Sequence, residues 1–150
     1  MNFGLDCLAT YRNHGVQFDY PDVWTLDEQC DGDVMITVST EGTCFWALRI
    51  LPACPSPPDV VNSCVEGFRQ EYGDVEVTES DCRLAEMPAF SRELSFECLE
   101  LLNSAGLHSV RTSEFTLLVW WQGTDHELQP IRRVFDGMTA SVRALALLDE

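Results

Sequence analysis

The seven residues Asp27-Glu28-Gln29-Cys30-Asp31-Gly32-Asp33 are the chain's densest set of groups able to hold a cation. Their spacing is that of the front of a calcium loop, with acids at positions 1, 5 and 7 and glycine at 6. The match then fails, because Gln29 stands at position 3 and Val38 falls at position 12, where a bidentate glutamate is needed. The segment therefore reads as an acidic turn offering at most weak metal binding. His14, His108 and His126 are scattered, with no His-x-x-x-His or His-Glu-x-x-His spacing. The seven cysteines, at 7, 30, 44, 54, 64, 82 and 98, form no Cys-x-x-Cys pair, so zinc-ribbon and thioredoxin-type readings fail on spacing. A cysteine–histidine nucleophile can be written from His14 or His108 with any thiol, and none has a local signature. Cys30, in a polar turn, is the thiol to test first. No Gly-x-Ser-x-Gly elbow and no dinucleotide or phosphate loop occurs. The residues designate no catalytic, cofactor-binding or metal-ligating set.

Charge narrows the field. Twenty-five carboxylates face nine basic residues, a net charge of −16 at pH 7, and all nine are arginine. Such a balance repels phosphate backbones and anionic lipid, so neither nucleic acid nor membrane is the expected partner. Without lysine there is no Schiff-base chemistry, no phosphate-loop lysine and no lysine general base. The odd thiol count points to reduced cysteines, most of them expected as small buried hydrophobes. Met1 to Thr10 lacks a basic stretch and carries Asp6 among its apolar residues, so no export signal is read and a cytoplasmic location is expected.

The elements that must position these groups follow from periodicity. Val16, Phe18 and Tyr20 share one face of a strand that Pro21 ends, and Trp24 is expected to fold back over the core. Thr25 to Asp33 reads as a polar turn region. Val34–Ser39 and Cys44–Leu51 alternate around Glu41-Gly42, which predicts an antiparallel hairpin. Ser56 caps a helix with Pro57 at its first position. Val61, Cys64, Val65, Phe68 and Tyr72 form that helix's apolar stripe, and Gly73 closes it. Strands follow at Val75–Thr78 and Phe90–Leu101, with a short return strand near Cys82, Leu84 and Met87. Asn103–Gly106 reads as a turn. Leu107–Arg111 and Phe115–Gln122 come next, read as two strands or as one kinked at Thr112-Ser113. Phe115–Trp121 is apolar on both faces, as a central covered strand requires. A last helix starts near Asp125–Glu127 and carries Ile131, Phe135, Met138, Val142 and Leu145 at helical spacing. The composite is one α+β domain over residues 1–150, an antiparallel sheet of about six to eight strands flanked by two main α-helices.

Val16-Gln17-Phe18-Asp19-Tyr20-Pro21-Asp22-Val23-Trp24 and the C-terminal Phe135-Asp-Gly-Met-Thr-Ala-Ser141, in this order of elements, resemble the PsbP-like superfamily over roughly Tyr11 to Leu145. That superfamily includes an extrinsic photosystem II subunit, a Ran-binding nuclear-import factor and many bacterial proteins. The resemblance implies a non-catalytic binding or assembly domain. Together with the acidity it leads to an expected protein partner with a basic surface, met by Asp27, Glu28, Asp31 and Asp33. Trp121 is an aromatic anchor if its sheet face is open. No cofactor is implied, and the domain is expected to be a monomer or weak dimer. The alternative is a small-ligand-binding or hydrolytic domain with a pocket between sheet and helix, or weak metal binding at residues 27–33.

Overall fold

A computed structural model describes residues 7–145. The first hairpin joins β1 (Leu8–Asn13) to β2 (Val16–Pro21). Its two-residue link, His14-Gly15, has positive φ at both positions, 54° and 84°, the mirror-image turn whose twist matches paired strands. β3 (Thr25–Asp31), β4 (Asp33–Ser39) and β5 (Phe45–Leu51) form an antiparallel meander. α1 (Pro57–Tyr72) follows, with the Ser56 hydroxyl accepting from Asp59 N–H and the Gly73 N–H donating to the Arg69 carbonyl. Then come β6 (Val75–Glu79), a small hairpin of β7 (Arg83–Leu84) and β8 (Met87–Pro88), and β9 (Phe90–Cys98). β10 (Leu101–Arg111), β11 (Thr116–Thr124), the single turn α2 (Asp125–Leu128), α3 (Arg132–Ser141) and β12 (Arg143–Ala144) complete the described chain.

Seven strands make one antiparallel sheet in the order β3-β4-β5-β11-β10-β9-β6. Alternation along its strands divides the apolar residues between two cores. Trp46, Leu48, Ile50, Leu117, Val119 and Trp121 point one way, and Leu51, Leu94, Phe96, Leu107 and Leu118 the other. α1 covers the second face with Val61, Val65 and Phe68. The first is covered by α3 and by a separate three-stranded layer, β1-β2-β12, which contributes Val16 and Phe18. The buried Trp46 indole is paired, its Nε1 donating to Thr139 Oγ1 at 3.0 Å. Trp24 packs edge-on against Phe135, ring centroids 5.6 Å apart, and lids this core as expected.

Several expectations are corrected. Thr25–Asp31 is a strand and not a turn; its polar residues suit an edge strand with one neighbour. Asn103–Gly106 lies inside β10, where Gly106 faces Trp121 across the ladder. A Cβ at Gly106 would stand 2.2 Å from the indole, so glycine marks a close approach there rather than a bend. β10 and β11 are two strands reversed at Thr112–Phe115, whose turn the Thr112 hydroxyl organises by accepting from Glu114 and Phe115 N–H. The last helix is divided: Pro130 lies between α2 and α3, and Val142 is extended, buried and outside the helix. Leu145 N–H instead donates to the Gly15 carbonyl at 2.8 Å. Only Cys44 among the described thiols is fully buried; Cys7 and Cys30 are exposed and the rest half-buried.

The true reversal between β9 and β10 is Leu99-Glu100, both residues at positive φ (53° and 66°), with Leu99 90% exposed. Neither side chain suits that backbone. Replacing the pair with the residues such turns favour, Leu99→Asn with Glu100→Gly, should raise stability by about 1 kcal/mol. Urea unfolding measures it, and an unmoved or lower midpoint would show that the turn stores no strain.

Candidate functional site

β3 is one edge of the large sheet, β6 being the other, and every residue of β3 except Leu26 is exposed. Because side chains alternate, the acidic residues do not converge as a turn would make them. Glu28 and Cys30 pair with Ile36 and Val34 and lie on the face toward the β1–β2 hairpin, whereas Asp27 and Asp31 lie on the opposite face. Asp33, on β4, is held by Arg49 at 2.9 Å. Asp27, Asp31 and Asp33 share one face, with Asp31 opposite Asp33 in the ladder. Among the described residues the three carboxylates nevertheless do not gather closely enough to hold an ion, and the seventh position is spent on Arg49.

The inward face of β3 makes a different cluster. The β1–β2 turn brings His14 over Glu28 and Cys30, and all three are exposed, with one donor atom from each lying within 4.8 Å of the others. His14 Nε2 stands 3.4 Å from Glu28 Oε2 and 3.7 Å from Cys30 Sγ, and Cys30 Sγ stands 4.0 Å from Glu28 Oε1. Tyr11, on β1, donates its hydroxyl to Glu28 Oε2. Burial, and secondarily Glu28, push the Tyr11 phenol well above its ordinary range, so it stays protonated and remains the donor. The local frame of His14 is set by its turn, with Asn13 Oδ1 accepting from His14 N–H at 2.9 Å. Of the His–thiol combinations open to the sequence, His14 with Cys30 is the one this arrangement assembles. The partner that sequence reading missed is Tyr11; alternation alone, which puts Tyr11 on the Asn13 side of β1, held the signal.

A second cluster lies between the sheet and α3. A cavity of about 380 Å³ is lined by Ser80, Cys82, Glu93, His108, Arg132 and Asp136, among others. Arg132 donates to Glu93 at 2.7 Å, lies 3.8 Å from Asp136 and stacks over the Trp121 ring at 4.1 Å. His108 is 6% exposed and its Nδ1 shares a hydrogen bond of 2.8 Å with Ser91 Oγ. Burial, helped by Arg132, lowers its pKa to about 4, which leaves it neutral and a weak base at pH 7. Ser91 is itself 1% exposed, so no substrate reaches that hydroxyl. Burial raises the Asp136 carboxyl and the Cys82 thiol. Two atoms in the cavity wall, Ser80 Oγ and Arg132 Nε, are buried without a hydrogen-bond partner among the described residues.

The two tryptophans of β11 point to opposite faces, one toward each main helix. Trp121 is 1% exposed beneath Arg132, which corrects its candidacy as a partner anchor: both faces of the sheet are covered at that position. Trp120 is half-buried against Phe68 of α1 and Phe45.

With its two covered sheet faces and its small closing layer, the described chain has an α+β fold of the PsbP-like kind. The solved structure of cyanobacterial PsbP (CyanoP) from Synechocystis sp. PCC 6803 is similar over 94% of this chain and 94% of its own, with a TM-score of 0.55 and 15% identity. A protein of Bacteroides thetaiotaomicron is similar over 87% of this chain, with a TM-score of 0.58 and 10% identity, and this chain spans 45% of its length. No protein-family model and no curated protein matches the sequence. At these identities the likeness is one of fold. No helix among the described residues is long and apolar enough to cross a membrane.

His108 gives the cavity a measurable signature. Its pKa is about 4 in the fold against an ordinary value of roughly 6.5 when unfolded. Between those values the unfolded chain binds more protons, so the stability is complete above the upper value and drains as pH falls toward the lower one. The residue should account for about 2 kcal/mol of the loss between pH 7 and pH 5. Urea unfolding of His108→Gln at both pH values should show a smaller loss by that amount. Equal losses in the two proteins would mean that the imidazole is not desolvated.

Proposed function

We propose that this is a non-catalytic binding domain that takes a basic, extended protein segment along β3. One observation carries the reading: β3 is a seven-residue edge strand whose outer backbone groups have no partner among the described residues, and it presents Asp27, Glu28 and Asp31 on exposed positions. An added strand satisfies the unpaired N–H and C=O groups, and alternate side chains give specificity. Carboxylates on both sides of β3 select lysine or arginine in that strand and repel a second copy of this acidic chain. The net charge of −16 extends the same preference to long range, so encounter is faster at low salt.

A second reading, small-ligand binding between sheet and helix, is favoured by two buried polar atoms that lack a hydrogen bond among the described residues, Ser80 Oγ and Arg132 Nε, in the cavity that His108 also lines. The chemistry of that wall is hydrogen bonding to a small polar molecule such as a carboxylic acid, with Arg132 and Ser80 as donors. Ligand-observed NMR with small carboxylic acids should show binding that a cavity-filling Ser80→Trp removes. Identical signals from both proteins would discard this second reading.

For the main proposal, a synthetic peptide alternating lysine with threonine and valine should shift the backbone amides of β3 in two-dimensional NMR. Its affinity should fall with added salt. Asp27→Asn with Asp31→Asn should weaken it about fivefold, as two exposed charge pairs would. Shifts mapping away from β3, or affinity indifferent to salt, would overturn the proposal.

A further inference from the structure

His14, Glu28 and Cys30 present an imidazole nitrogen, a carboxylate and a thiol, the three side-chain types that ligate zinc. We propose that they bind one divalent ion of the zinc type, with a water molecule completing the coordination. The geometry is the reason. Bonds of about 2.0–2.3 Å at tetrahedral angles place donor atoms roughly 3.4–3.6 Å apart. His14 Nε2 stands 3.4 Å from Glu28 Oε2 and 3.7 Å from Cys30 Sγ, and Sγ stands 4.0 Å from the other carboxylate oxygen, Oε1. One donor atom from each residue lies within 4.8 Å of the others, so closing on an ion needs only small side-chain rotations. Two of the ligands are alternate residues of one strand whose register is fixed by pairing with β4. The third comes from a two-residue turn that admits little play. The framework is therefore assembled before the ion arrives, which lowers the ordering cost of binding.

The surroundings fit the same role. Tyr11 donates to Glu28 Oε2, an outer hydrogen bond of the kind that orients a ligating carboxylate. Among the described residues no arginine is paired with the cluster: Arg12 donates to Gln17 and Arg49 to Asp33. An entering dication thus meets no fixed positive charge there. The three ligands are exposed, which leaves room for the water and makes the ion exchangeable. Thiolate, imidazole and carboxylate in a tetrahedral set suit Zn²⁺ or Co²⁺ over Mg²⁺ and Ca²⁺, which want oxygen ligands in larger number. Binding deprotonates the Cys30 thiol: the sulfur lone pair goes to the metal and one proton to solvent.

Cobalt reports this site directly. Titration of untagged, reduced protein with Co²⁺ should saturate at one ion per chain with a thiolate-to-cobalt charge-transfer band, and Zn²⁺ should bleach it. Cys30→Ser should abolish the band although the other six cysteines remain. His14→Ala should weaken binding at least tenfold and Tyr11→Phe by about tenfold. Calorimetry of Zn²⁺ in buffers of different ionisation enthalpy should count about one released proton. Circular dichroism of each variant shows that the fold is retained, which exposed positions favour. A band that survives in Cys30→Ser, the absence of any charge-transfer band in the parent protein, or undiminished affinity in His14→Ala would overturn the site.

Discussion

The indole of Trp121 lies between the bare backbone of Gly106 on β10 and the guanidinium of Arg132 on α3, and this stack ties the middle of the large sheet to the helix above it. Gly106 has to be glycine, because a methyl there would stand 2.2 Å from the ring. Arg132 lies 4.1 Å over the same ring while bonding Glu93 of β9. Three neighbouring strands and a helix thus meet on one aromatic plane. Cation–π attraction and a charge-assisted hydrogen bond hold the half-exposed guanidinium over the buried ring. The cavity beside His108 is a by-product of that arrangement, since the arginine that roofs the tryptophan also spans the space between α3 and the sheet.

The fold was legible wherever one residue type had one reason to be present. Ser56, Pro57 and Gly73 punctuate α1 because only such residues satisfy a helix end. The run from Phe115 to Trp121 announces a doubly covered strand through its apolarity on both faces, and β11 begins one residue later. Reading failed where a residue had a second use. Gly106 looked like a bend and is a seat for an indole. Leu99-Glu100 carries no turn signal and yet turns, as Ala85-Glu86 does between β7 and β8 with φ of 51° and 64°. Tight pairing of the flanking strands imposes those backbones against local preference, which no window of sequence can reveal. β3 was missed for a related reason. An edge strand with one neighbour can be polar on both sides, so its alternation disappears.

The site was legible by composition and hidden in arrangement. Residues 27–33 did carry the groups of interest, and Cys30 was the thiol worth singling out. The strand then sorted them onto two faces, so a single acidic segment became two surfaces of different chemistry. Glu28 and Cys30 look inward to His14 and Tyr11, and Asp27 and Asp31 look outward. His14 stands far enough back in the chain that only the packing of the hairpin on the sheet brings it there. Both chemistries share β3: its free backbone edge and the carboxylates of either face suit an added strand, and the side-chain donors toward the hairpin suit an ion.

The strand pairing that completes the small layer has a consequence for how the protein folds. Arg143 and Ala144 pair with Gln17 and Val16, and Leu145 reaches back to Gly15. Phe18 packs on Tyr11, Tyr20 and Trp46, all from the first third of the chain, whereas Val16 gains its second strand neighbour only from residues 143–144. Contacts so distant along the chain form slowly. Closure of the small layer is therefore a late step, set by the sequence distance between the strands it joins.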